Sequence, residues 1–288
     1  MTSDRKIWHN RRFSWKHHET WAPALASWLE PRFRKDGMRR LKPGRVREIC
    51  WDDSEWLEVL GKCLVDDLDF HTEDLADALD GAIQRVYHAC RTEDAGRYFR
   101  EGLRVHDRAA MEAEVKALVS SCRELRALAG CIDERIASID KAIDIGRLYV
   151  AVDDAVLLDH AAQYLIFGSE WISDVLGHPH RNALKSLGVP TLLEIDLPLS
   201  MIGFEIRKDF SSRLLREWTR LQCNGTDWSA PIDFTFSLVT DVPADWIVGH
   251  SHPSVLYDPY ERGSRDEEGR VYRPPSTVCA YCAQGTGN

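Results

Sequence analysis

Leu148-Tyr149-Val150-Ala151-Val152-Asp153-Asp154 decides the fold class. Leu148, Val150 and Val152 fall on one face of an extended chain, with Tyr149 and Ala151 on the other. Asp154 is placed to cap the helix that follows, which the apolar spacing carries to about Leu176, before Gly177. Working outward, Thr191–Leu197 alternates again, as do Phe234, Phe236 and Leu238 with Thr235, Ser237 and Val239. A short strand is expected at Val86–Cys90. Helical spacing begins at Ser54 and at Thr72, covers 93–101 up to Gly102, and returns over 204–221. Strands at irregular intervals, parted by helices, predict an α+β class: a small split antiparallel or mixed sheet with helical insertions, not a regular βαβ succession.

One stretch is more regular than the rest. Met111, Val115, Leu118, Cys122, Leu125, Ala129, Ile132, Ile136, Ile139 and Ile143 alternate steps of four and three, an a/d stripe. The spacing predicts one amphipathic helix over about 111–143, on the order of 50 Å long. Such a helix either folds onto its own body or offers a surface to a protein partner or a second copy.

Charge divides the chain unevenly. Residues 1–47 hold 13 Lys/Arg against Asp4, Glu19, Glu30 and Asp36, whereas the whole chain is at −9. Trp8, Trp15, Trp21 and Trp28 interleave with these basic residues. Cations with aromatic faces suit nucleic acid; the competing expectation is a basic arm that docks on the body and buries its tryptophans there. No apolar run approaches the length of a membrane span and no signal segment opens the chain, so a cytoplasmic protein without membrane partners is expected. Eight dispersed cysteines fit reduced thiols. The expected organisation is an N-terminal arm with helices over 1–80, a central domain over 81–252, and an irregular tail over 253–288.

Chemistry is carried by an ordered series. Tyr87-His88-Ala89-Cys90-Arg91 ends a strand, a helix closes at Gly102-Leu103, Tyr149 lies on the next strand, and Ala161-Ala162-Gln163-Tyr164 on the helix after it. Val242-Pro243-Ala244-Asp245-Trp246-Ile247 follows the last strand. This order resembles the ADP-ribosyltransferase fold, in the branch of diphtheria toxin and the poly-ADP-ribose polymerases, over about residues 83–250. Its end is similar to that of members that modify DNA or RNA. The resemblance implies an NAD-dependent ADP-ribosyltransferase, a glycosyltransferase with NAD as substrate and a nucleic acid or a protein as acceptor, of the kind found among bacterial toxins and defence effectors. It implies that His88 bonds the ribose and carboxamide, that Tyr149 and Tyr164 sandwich the nicotinamide, and that Arg91 meets the pyrophosphate. The family's late-strand Glu is missing from Pro231-Ile232-Asp233-Phe234. Asp233, Glu170 and Glu194 all stand as candidates for the catalytic carboxylate; Glu170 follows Gly168-Ser169, where an apolar helix is interrupted. The departure also fits an NAD-dependent RNA 2′-phosphotransferase, or a catalytically inactive binding module of the same fold.

His178-Pro179-His180, Gly249-His250-Ser251-His252 and Cys279-Ala280-Tyr281-Cys282 suggest metal. Zinc needs four converging ligands. One Cys-x-x-Cys is half a site, and completing it with His250 and His252 spans about 27 residues of loop. From sequence these are read as surface histidines and a frayed terminus, with no metal residue assigned and a zinc-stabilised adaptor as the alternative.

Overall fold

The extended stretch at 148–152 joins a sheet. The computed structural model describes residues 3–41, 48–139, 145–261 and 271–285. Its strands are β1 (Arg12–Phe13), β2 (Ile83–Thr92), β3 (Leu148–Ala151), β4 (Val189–Pro198), β5 (Thr235–Leu238), β6 (Ile247–Ser251), β7 (Leu256–Tyr257) and β8 (Val271–Tyr272). Its helices are α1 (Ser3–Trp8), α2 (Ala22–Leu29), α3 (Gly37–Arg40), α4 (Glu55–Gly61), α5 (Leu68–Ala78), α6 (Gly96–Glu101), α7 (Arg108–Ser121), α8 (Ile132–Ser138), α9 (Asp154–Leu158), α10 (Gln163–Phe167), α11 (Glu170–Leu176), α12 (Phe204–Asn224) and α13 (Ala280–Ala283). The class is α+β. The main sheet runs β5-β3-β2-β4-β6, with β1 parallel to the start of β2. Pairs β2–β3 and β4–β6 are antiparallel, the latter opposing Leu193 to His250. Among the described residues no helix is long and apolar enough to cross a membrane.

The chain divides into two units, Met1–Arg85 with Asp196–Phe236, and Val86–Ile195 with Ser237–Asn288. The boundaries expected at 80 and 252 therefore move. Residues 1–80 have no separate core, because α12 returns from later in the chain to supply one. In this first unit α12 packs against α4 and α5 and buries Phe210, Leu214, Leu215, Trp218 and Leu221. Trp8, Trp15, Trp21 and Trp28 are all buried. Trp15 Nε1 donates to Ala230 O at 2.7 Å and Trp21 Nε1 to Trp15 O at 3.1 Å, so these two indoles keep their polar edge satisfied while burying a large ring. The docked-arm expectation holds for the tryptophans, and they offer no stacking platform to nucleic acid.

In the second unit one apolar core gathers Tyr87, Leu165, Ile166, Phe167, Ile172, Leu176 and Leu192 with the stripe residues Met111, Val115, Leu125, Ile132 and Ile136. Most of the stripe packs on this core, Ala129 being exposed, but not as one helix. Cys122 adopts extended backbone (φ −82°, ψ 121°) after α7, 123–128 form a 3-10 turn, and α8 begins at Ile132. A unit of this size has a radius of gyration of about 15 Å, so a 50 Å rod would outrun its core. The chain bends instead and brings each short piece to the same apolar mass. The face expected to dock a partner or a second copy is spent on that core. Ile143 lies outside the described residues.

The helix expected over 154–176 is likewise three, α9, α10 and α11, parted at Asp159 and at Gly168. The first is capped by Asp153, not Asp154, with its side chain accepting from Ala155 N at 3.1 Å. Gly102 closes α6 at φ +78°, and a Cβ there would lie 2.2 Å from Val242 O. Beyond it Leu103 and Val242 exchange two backbone hydrogen bonds, at 2.9 and 2.8 Å. The Gly-Leu and Val-Pro motifs are thus direct neighbours. Among its described residues the tail adds the β7–β8 ribbon and α13, and buries Leu256, Asp258 and Cys279.

Candidate functional site

Because Tyr87 points into the core, alternation turns His88 to the other face of β2. Its Nδ1 lies 3.0 Å from the carbonyl oxygen of Tyr149 on β3. A carbonyl can only accept, so Nδ1 carries the hydrogen and Nε2 presents a lone pair. Desolvation lowers the pKa of this imidazole to about 4; nearby His106 reinforces that shift and the Tyr149 carbonyl opposes it. At neutral pH His88 is therefore an uncharged acceptor in a single tautomer. The Tyr149 ring stands off the sheet, 36% exposed, while Leu148 and Val150 on either side are buried.

Tyr164 and Glu170 form the second pair. The Tyr164 hydroxyl donates to Glu170 Oε2 at 2.7 Å. Six residues apart on a continuous helix they would point in different directions. Gly168, at φ +78°, ends α10, and Ser169 starts α11 by accepting from Ile172 N at 3.4 Å. That break folds Glu170 back onto Tyr164. The Tyr164 ring is partly buried against the core, so its flank, not a free face, is what a ligand could meet.

The Arg91 guanidinium is turned to backbone carbonyls. Nε donates to Leu187 O at 2.8 Å, one terminal nitrogen to Lys185 O and Gly188 O at 2.9 and 2.8 Å, and the other to Leu165 O and Ile166 O at 3.2 and 3.1 Å. With the Tyr272 hydroxyl at 3.4 Å, every donor of the guanidinium is engaged. It fastens α10 and the 185–188 turn to β2, a positioning role in place of the pyrophosphate contact expected from sequence. Asp233 is exposed and belongs to the first unit, whereas His88, Tyr149, Tyr164 and Glu170 all lie in the second. Glu194 sits on β4, the strand next to β2, opposite Gly249. A concave surface of about 600 Å³ lies in the first unit, lined by Arg34, Leu57, Glu58, Val65, Asp66 and Asp67 among others, with more acidic than basic groups.

The structure also brings together the two half-motifs to which the sequence reading assigned no metal. His250 and His252 share one face of β6, the terminal strand, and Cys279 and Cys282 bracket the start of α13. One ligand atom from each falls within 4.8 Å of all the others. His250 Nε2 and His252 Nε2 lie 3.1 and 3.5 Å from Cys282 Sγ, and the two sulfurs are 3.7 Å apart. The signal in the sequence was two half-motifs, His-x-His and Cys-x-x-Cys, whose meeting depends on where the 253–278 segment leads. His178 is exposed and His180 half-buried, and neither joins this cluster. Comparison with protein-family models, with curated proteins and with solved structures finds no match to this chain.

Proposed function

We propose that the chain is an NAD-dependent ADP-ribosyltransferase of the cytoplasm, with its site on the second unit. The observation that carries this reading is the His88–Tyr149 contact. It places a neutral imidazole acceptor on β2 against the backbone of β3, the strand that carries the exposed Tyr149 ring on its other face, and Tyr164 follows in the same unit and in the chain order of the resembling family. Support for the reading is thus the order of elements together with the protonation state of His88.

On this reading His88 Nε2 accepts a hydrogen bond from a ribose hydroxyl, which orients the sugar. The bond between ribose C1′ and the nicotinamide nitrogen breaks, and its electron pair leaves with nicotinamide as a neutral molecule. Positive charge develops on the ribose, as in glycoside cleavage. The Glu170 carboxylate stabilises that charge and takes the proton from the acceptor's hydroxyl or amine as its lone pair closes onto C1′. Glu170 is favoured among the carboxylates weighed from sequence because it accepts from Tyr164, a residue of the series.

The test is nicotinamide release and transfer of label from NAD, with cell extract as the source of acceptor, for wild type, His88→Ala and Glu170→Gln. Turnover in wild type that both variants lose supports the reading. Turnover unchanged in both, or none in wild type with NAD failing to bind, overturns it. An RNA carrying an internal 2′-phosphate, added as a second substrate, separates phosphate removal from ADP-ribosyl transfer.

A further inference from the structure

We infer that His250, His252, Cys279 and Cys282 together hold one zinc ion, in a closed site that fastens the C-terminal segment to the edge of the sheet. The inference stands on the geometry of these four side chains and does not depend on the NAD reading.

The distances are those a metal requires. With zinc–sulfur bonds of about 2.3 Å and zinc–nitrogen bonds of about 2.0–2.1 Å, a tetrahedron sets two sulfurs about 3.8 Å apart and sulfur and nitrogen about 3.5 Å apart. Here the sulfurs are 3.7 Å apart and the two sulfur–nitrogen separations are 3.1 and 3.5 Å. A disulfide needs about 2.05 Å, and it would leave the convergence of two imidazoles on Cys282 without a purpose. Two sulfurs and two imidazole nitrogens in a tetrahedron select zinc over the hard, oxygen-seeking cations.

The surroundings are built to the same end. His252 Nδ1 lies 3.0 Å from Pro190 O and 3.2 Å from Thr191 Oγ1, so Nδ1 holds the hydrogen and Nε2 is left as the ligand. The His250 ring is held by Phe99 and Tyr281, with ring centres 5.6 and 5.7 Å away. Cys279 is 2% exposed and packs with Ala95 and Val189. Tyr281 passes so close to Gly96 that a Cβ there would lie 2.5 Å from its ring. Binding releases the two thiol protons, and two thiolates then balance the divalent ion, so the site is neutral overall. Four protein ligands leave no position for water, which makes the role structural. A four-residue helix such as α13 has no stability of its own; the ion supplies its anchor.

The experiment uses the full chain, purified without added metal. Elemental analysis is expected to find one zinc per chain in wild type, none in Cys282→Ser, and one again in His252→Cys, which exchanges one ligand for another. Cys122→Ser, which removes a cysteine outside the cluster, should keep the zinc. Should Cys282→Ser fail to fold, cobalt(II) exchanged into wild type gives an independent reading: intense d–d absorption of a tetrahedral site and a thiolate-to-cobalt charge-transfer band. Wild type that carries no zinc and gives no such spectrum overturns the inference, as does peptide mapping that finds Cys279 and Cys282 joined as a disulfide.

Discussion

Tyr164 and Glu170 meet at 2.7 Å only because the helix between them stops and restarts. The interruption at Gly168-Ser169 thus creates a carboxylate with a fixed direction. Glu170→Gln is expected to lower nicotinamide release about 10²–10⁴-fold, the usual range for losing a positioned acid–base group, with little change in the melting temperature. Tyr164→Phe should cost about 1–2 kcal/mol of stability in urea titration, the scale of one hydrogen bond to a charged group that is partly solvated.

Arg91 gives a cleaner separation of roles. Five backbone carbonyls receive its donors, and a lysine cannot reproduce that fork. Arg91→Lys is expected to destabilise the chain by about 2–4 kcal/mol, since several buried carbonyls lose their partner. A pyrophosphate contact would give the opposite pattern: a raised KM for NAD with an unaltered unfolding midpoint.

The imidazole of His88 ties stability to pH. Its pKa falls from 6.5 to about 4 on folding, so between those values the unfolded chain binds more protons than the folded one. Stability therefore rises with pH across this window and is lost as pH falls from about 6.5 toward about 4. Chemical denaturation at a series of pH values should show this slope, and His88→Asn should flatten its His88 share.

Gly102 is a backbone requirement. At φ +78°, with Val242 O where a side chain would begin, Gly102→Ala combines an unfavourable conformation with a collision. A loss of about 2–4 kcal/mol is expected, read as a lower unfolding midpoint. An unchanged midpoint would mean that the Leu103–Val242 bridge can shift at little cost.

How much of this was legible in the sequence depended on what each signal encodes. Leu193, Ile195 and Leu197 alternate because β4 buries one face, and that pattern reads directly. So does the glycine that ends α6. The stripe over 111–143 specifies which residues face the core but says nothing of continuity, so it reads equally well as one rod or as α7, a 3-10 turn and α8 wrapped around a common centre. Arg91 looked like an anion binder because residue type carries no record of which carbonyls lie nearby. His250, His252, Cys279 and Cys282 were visible as types and spacings; their convergence is a property of the path between them.

The packing of the first unit also decides how this protein can be watched. Of its ten tryptophans, only Trp171 and Trp246 belong to the second unit, and six of the remainder are fully buried in the first. Indole emission will therefore track the melting of the first unit almost alone. A population that has lost its second unit would still glow as native. Amide exchange, or a fluorophore attached near α13, is the probe that would follow the half of the molecule where NAD chemistry and metal are proposed to reside.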